Sequence, residues 1–320
     1  MRAIMIDELG GVPRLAMDAA EPVAGPGELL VRVRACGLNF ADLLMIEGKY
    51  QEKQAPPFTP GLELAGEVVA VGAEVSGWAA GQRVAAFSGR GGLAELAAVP
   101  AARCVAVPEG MDDVTAAAFQ VAYGTSHLAL TDAARLQPGE TLLVTGAAGG
   151  VGLTAVEVGR QLGARVIAVA RGAEKLAVAE AAGAQHLIDS ESADLRAEVK
   201  ALGGADVVYD AVGGPGFMAA LRATRPGGRI LAIGFASGEV PQVPANLLLV
   251  KNLSVIGFYW GGYLGFAPAK LTASMSELMG WFAAGRLAPH LGAVLPLERA
   301  AEGLELLRSR RSTGKVVITS

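Results

Sequence analysis

The sequence predicts an α/β protein in which a central, doubly wound parallel sheet is joined to a mostly antiparallel β region. Between residues 141 and 257 short apolar runs alternate with segments of helical length, the rhythm of strands linked by crossover helices. Residues 1–120 instead carry β-like runs separated by Pro- and Gly-rich turns such as 24–27. With 320 residues, 52% of them hydrophobic and 18% charged, the chain can bury two cores.

In order, β-like runs fall at 4–6, 28–35, 64–71 and 83–87, then at 141–145, 165–170, 186–188, 206–210, 228–234 and 253–257. Helices are expected at 151–162, 173–182, 193–202 and 217–224, each closed by Gly or a Pro-Gly pair. The uncharged stretch between Lys251 and Lys270 contains Gly257, Gly261, Gly262, Gly265 and Pro268, so it reads as a strand and a glycine-rich turn rather than a membrane helix. Helices at 269–284 and 297–308 and a strand at 315–319 complete the chain.

A net charge of -4 without any run of Lys and Arg argues against a nucleic-acid partner. Cys36 and Cys104 form no CxxC pair, so neither structural zinc nor a disulfide framework is expected, and a reducing cytoplasm is the simplest home. The first residues give no secretory apolar run before Asp7 and Glu8. His127, His186 and His290 are widely spaced, and no GxSxG elbow occurs, which removes metal-centred and acyl-hydrolase readings.

The strongest local signal is the strand 141–145 running into Gly146, Ala147, Ala148, Gly149, Gly150, Val151 and Gly152. Gly146 permits a tight turn, Gly149 lets the backbone approach a pyrophosphate, and Gly152 lets the following helix pack close, its N-terminus toward the anion. This is a dinucleotide loop. An NAD site places an acid about 20 residues further on, at the end of the second strand. Here stand Ala170 and Arg171, with Lys175 one turn later, a set suited to a 2′-phosphate and hence to NADPH.

Several stretches together resemble the zinc-free, zeta-crystallin-like quinone oxidoreductases of the medium-chain dehydrogenase/reductase superfamily. They are Gly37, Leu38, Asn39, Phe40, Ala41 and Asp42; 60–72 with Gly61, Glu63 and Gly66; 81–84; 147–152; Asp210 with Gly213 and Gly214; 246–257; and 309–318 with Arg310, Gly314 and Lys315. Zinc relatives carry Cys and His where this chain has Asn39 and Leu62, and no metal is expected. The resemblance implies a discontinuous GroES-like catalytic domain, 1–121 and 258–320, around a Rossmann NADP(H) domain, 122–257. It also implies a homodimer through the edge strand from Leu253 to Gly257, which would otherwise be left open.

By the same resemblance, Asn39, Asp42 and Tyr50 are the candidate catalytic residues, with Asn39 and Tyr50 as hydrogen-bond donors; the alternative is that Tyr50 packs against the nicotinamide and that Asn39 and Asp42 hold the local turn. Leu44 stands where the family often has an aromatic. The cofactor residues it implies are Thr125 near the carboxamide, Ala148, Gly149, Gly150, Val151, Gly152, Val212 and Gly213 in the loops, and Lys175 and Arg310 at the adenosine end, where Arg171 replaces a small residue of the family and Ser190 replaces its frequent adenine-stacking tyrosine. Gly234, Phe235 and Ser237 follow a Rossmann strand and are expected on the nicotinamide half. Without a metal Lewis acid, the expected reaction is hydride transfer to a quinone, an electron-poor small molecule that spreads charge onto oxygen. Reduction of an enoyl thioester or alkenal is the enzymatic alternative, and an NADPH-binding structural or RNA-binding role the non-enzymatic one.

Overall fold

A computed structural model describes residues 1–320 of the chain. It forms two compact units, Ala122–Ala288 and a discontinuous one made of Met1–Val121 and Pro289–Ser320.

In the discontinuous unit the strands are β1 (Ala3–Met5), β2 (Arg14–Ala16), β3 (Glu28–Leu38), β4 (Glu63–Val71), β5 (Arg83–Phe87), β6 (Leu96–Pro100) and β7 (Cys104–Ala106). The other unit contributes β8 (Thr141–Thr145), β9 (Arg165–Ala170), β10 (His186–Asp189), β11 (Ala205–Asp210), β12 (Thr224–Ala232) and β13 (Ser254–Gly257). The chain then returns to the first unit for β14 (Leu291–Pro296) and β15 (Lys315–Thr319).

The six strands of the continuous unit are all parallel, in the order β10-β9-β8-β11-β12-β13. Leu142, Leu143 and Val144 are wholly buried, as expected of a strand covered by helices on both faces. Ala170 pairs with Asp189, Thr145 with Val169 and Asp210, and Ala232 with Asp210 and Gly257, so the carboxyl ends of all six strands finish on one edge. The order reverses between β8 and β11, which is where open α/β sheets bind ligands. Leu143, Ile167, Val208, Phe217, Leu221 and Ile230 form the core of one face.

The other unit is built on the eleven-residue β3. Irregularities after Leu30 and Val33 let β3 bend, so that its first half pairs with β6 and its second half with β15, while β4 runs along both. Leu29, Val31, Leu64, Val68 and Val84 fill the core beneath. Most pairings are antiparallel, but β14 and β15 run parallel, linked by the helix Ala300–Arg308.

The chain returns to the discontinuous unit at Pro289, not at 258 as expected. The intervening helix Pro268–Ala283 belongs to the continuous unit because Ser274 bonds His127 at 2.9 Å, Lys270 pairs with Asp132 at 2.6 Å, and Trp281 packs edge-on against His127. After β13 come two short helical turns, Trp260–Gly262 and Tyr263–Phe266, where a plain turn was expected. No helix is long and apolar enough to cross a membrane.

Candidate functional site

The glycine turn leaves β8 at the carboxyl edge of the sheet. Gly146 has a φ of +63°, and a Cβ on Gly152 would lie 2.1 Å from the Gly146 carbonyl oxygen, so both glycines are required by the backbone itself. Gly149 differs, because its Cβ would approach protein no nearer than 3.4 Å. Space is kept on that side of the loop. Gly149 caps the helix Gly150–Gln161, whose first-turn N–H groups, those of Gly150, Val151 and Gly152, have no intrahelical acceptor, the arrangement that suits an anion at a helix start beside Ala148.

The remaining cofactor candidates of this unit lie on the same edge. Arg171 and Lys175 follow β9, Ser190 follows β10, Val212 and Gly213 follow β11, and Gly234, Phe235 and Ser237 follow β12. Thr125 is inside the helix Gln120–Leu128, beside Ser126, whose hydroxyl bonds the Val151 carbonyl at 3.0 Å. Only Arg310 belongs to the other unit, exposed at the end of its helix with a φ of +53°.

The loop is tied down by groups that the sequence did not single out for this role. Asp210, wholly buried, accepts from the Thr145 hydroxyl and from the Gly213 N–H at 2.8 Å, joining the β8 and β11 loops across the switch point. Burial pushes its carboxyl above the usual range, against those hydrogen bonds. Gly213 has a φ of +71°, and a Cβ there would meet the Glu239 carbonyl oxygen at 2.7 Å. Ser126 also joins the hydroxyls of Thr154 at 2.8 Å and Tyr209 at 3.1 Å, fixing the loop helix to the sheet.

No acid follows β9 directly, yet the fold brings one near: Glu191, beyond β10, faces Arg171 at 3.8 Å. Both side chains are about half exposed or more, 44% and 63%, so the pair is worth less than about 1 kcal/mol and yields readily to a phosphate. Asp189 is occupied with the backbone N–H groups of Gly172 and Glu191, which hold its carboxyl below the ordinary range.

The catalytic candidates lie in the discontinuous unit, and for two of them the internal partners favour the turn-holding alternative. Asn39 was expected to donate to a substrate carbonyl, but its amide nitrogen donates to Gly37 at 3.1 Å and Glu63 at 2.9 Å, while its oxygen accepts from the Lys315 ammonium at 2.8 Å. Both amide hydrogens are spent. Asp42 accepts from the N–H groups of Asn39, Gly61 and Leu62 and is wholly buried, so it holds the turn instead of meeting a substrate. Burial raises its carboxyl to about 6 despite those three donors. Tyr50 remains half-buried in the turn after the helix Phe40–Ile46, its N–H on the Leu44 carbonyl at 3.1 Å.

Lys315 and Glu63 were visible only as parts of motifs. In the fold they form a buried ion pair at 2.7 Å, exposed by only 7% and 1% at the side chain, and Glu63 also accepts from the Val121 N–H at 2.9 Å. Leu62 is buried. No three His, Cys, Asp or Glu side chains gather in a way that could hold a metal ion.

Residues 25–109 match the alcohol dehydrogenase GroES-like domain, and residues 150–283 match the zinc-binding dehydrogenase family. Quinone oxidoreductase-like protein 2 of Mus musculus is 41% identical over 322 residues, covering 99% of this chain and 92% of its own. The chain belongs to the zinc-free quinone oxidoreductase branch of the medium-chain dehydrogenase/reductase superfamily. As a member of that branch it is an oxidoreductase with a GroES-like domain and a Rossmann domain. The quinone oxidoreductase of Thermus thermophilus, whose structure was also solved as its complex with NADPH, is 38% identical with a TM-score of 0.88, and each chain covers 100% of the other. The synaptic vesicle membrane protein VAT-1 homolog of Homo sapiens is also similar, 33% identical over 99% of this chain and 86% of its own.

Proposed function

We propose that this chain is an NADPH-dependent, zinc-independent oxidoreductase that reduces a quinone. The observation that carries the cofactor reading is the shared carboxyl edge, where the glycine turn at the β8–β11 reversal is flanked by Ala170, Arg171 and Lys175 in place of an acid. NADPH complexes among the similar quinone oxidoreductases support it.

When bound, NADPH supplies the hydride. The chain's part is binding, orientation and the handling of charge. The N–H groups at the start of the helix Gly150–Gln161 would hold the diphosphate, and Arg171 and Lys175 would pair with the 2′-phosphate. Ser190 would lie beside the adenosine, Thr125 would bond the carboxamide, and Val212, Gly213, Gly234, Phe235 and Ser237 would line the nicotinamide half. Tyr50 donates a hydrogen bond to the oxygen that becomes negative on the acceptor. Asn39 and Asp42 position that region through Glu63, Lys315 and the backbone. The edge strand β13 has no neighbour beyond it in this chain, and its pairing with a second copy gives a homodimer.

The test is steady-state oxidation of NADPH and NADH with an ortho-quinone, a para-quinone and a conjugated enone in parallel. NADPH-specific turnover with a quinone is expected. Turnover with the enone alone would replace the quinone reading by double-bond reduction. In the same assay Tyr50→Phe lowers turnover and spares NADPH affinity, and unchanged turnover would remove Tyr50 from the chemistry. Replacing Arg171 and Lys175 together by Ala weakens NADPH by roughly 10- to 100-fold and NADH far less. Equal losses would mean that neither reads the phosphate.

A further inference from the structure

The edge of the parallel sheet opposite the glycine turn carries a concave feature. A pocket of about 450 Å³ lies at the amino ends of β11 and β12, lined by Arg196, Lys200, Arg222, Arg225 and Lys251 and by no carboxylate. Five cations in one recess stand out on a chain of net charge -4.

Some of that charge has an ordinary structural use. Arg225 pairs with Asp206 at 2.6 Å and donates to the Gly203 carbonyl, while Lys251 donates to the Arg222 carbonyl at 3.1 Å and to that of Thr224, where a helix ends. Cations are favoured at helix C-termini for this reason. Arg196, Lys200 and Arg222 make no side-chain hydrogen bond or ion pair, so their charge is left over. Burial, and then the like charges of Lys200 and Arg196, hold Lys251 below the ordinary lysine range, a sign that the field is uncompensated. Leu221 and Leu247 supply an apolar wall.

We propose that this pocket binds a small phosphate ester or diphosphate, its anionic groups paired with Arg196, Lys200 and Arg222 and its organic part against Leu221 and Leu247. Guanidinium forks match phosphate oxygens two at a time, and three free cations exceed what a single carboxylate neutralises. The volume suits a small organic ligand. A nucleic acid is disfavoured because the cations are gathered in one recess, not drawn out along a stripe.

The experiment is calorimetric titration of the full chain, held at saturating NADPH, with inorganic pyrophosphate and separately with phenyl phosphate. One site per chain is expected. Replacing Arg196 and Lys200 together by Ser, both exposed and outside the cofactor edge, lowers that affinity by about tenfold or more and leaves NADPH turnover unchanged. In the Arg171→Ala, Lys175→Ala protein pyrophosphate binding persists, which separates this site from the cofactor reading. Heat that vanishes when NADPH is present, or an affinity indifferent to the Arg196 and Lys200 changes, would overturn the proposal. So would an RNA oligonucleotide that binds more tightly than pyrophosphate and is lost in the same variant, since the face would then be a nucleic-acid surface.

Discussion

Replacing Lys315 by Met removes an ammonium that donates to Leu38 at 2.8 Å, Asn39 at 2.8 Å and Glu63 at 2.7 Å. At the 2.7 Å separation from Glu63 and an effective dielectric constant of about 20, the direct attraction is roughly 6 kcal/mol. Much of that offsets the cost of taking both charges out of water. The single substitution is expensive for a different reason: Glu63, 1% exposed at its side chain, is left in the interior without the only cation paired to it. The expected loss is about 3–5 kcal/mol, a large part of the 5–15 kcal/mol typical of a folded domain. The assay is urea unfolding followed by near-ultraviolet circular dichroism, on Lys315→Met, Glu63→Gln and the double variant. The double variant should lose well under the sum of the two singles, because neither charge is then stranded. A Lys315→Met protein within about 1 kcal/mol of the parent would refute the reasoning, since it would mean that Glu63 carries no buried charge in need of a partner.

Two glycines of the turn, Gly149 and Gly152, should separate folding from binding. Gly152→Ala drives a Cβ into the Gly146 oxygen at 2.1 Å and should cost about 1–3 kcal/mol in thermal unfolding. Gly149→Ala should stay within about 1 kcal/mol and still lose about tenfold in NADPH affinity, read by fluorescence titration. Asp42 predicts a pH signature, because its carboxyl rises from 3.8 to about 6 in the fold, a difference worth about 3 kcal/mol. The folded chain keeps a proton that the unfolded chain has released, so this contribution is full below about pH 4 and is lost as pH rises to about 6. Asp42→Asn should remove that fall from the stability profile, and an unchanged profile would assign it elsewhere. Sedimentation equilibrium should give twice the 32.6 kDa chain mass, and a monomer would leave β13 an open edge.

Strand periodicity and the glycine turn were legible in the sequence because each is decided over a few residues. The runs 141–145, 165–170 and 315–319 coincide with β8, β9 and β15 to the residue, since apolar content and bounding turns are local properties. Gly146 and Gly152 were legible for the same reason, as a left-handed turn and a close helix approach both demand the absence of a Cβ. What the tertiary structure alone decided is the partnership of residues distant in sequence. Lys315 reaches Glu63 across 252 positions because β15 pairs with the second half of β3, and that pairing spends the Asn39 amide that its motif offered for chemistry. Glu191 comes to Arg171 only because β10 lies beside β9. The helix Pro268–Ala283 stays with the continuous unit through His127, a contact that no local pattern encodes. Local sequence sets which groups are available, while burial and strand order set which of them remain free to act, because a hydrogen already donated inside the fold cannot be donated to a substrate.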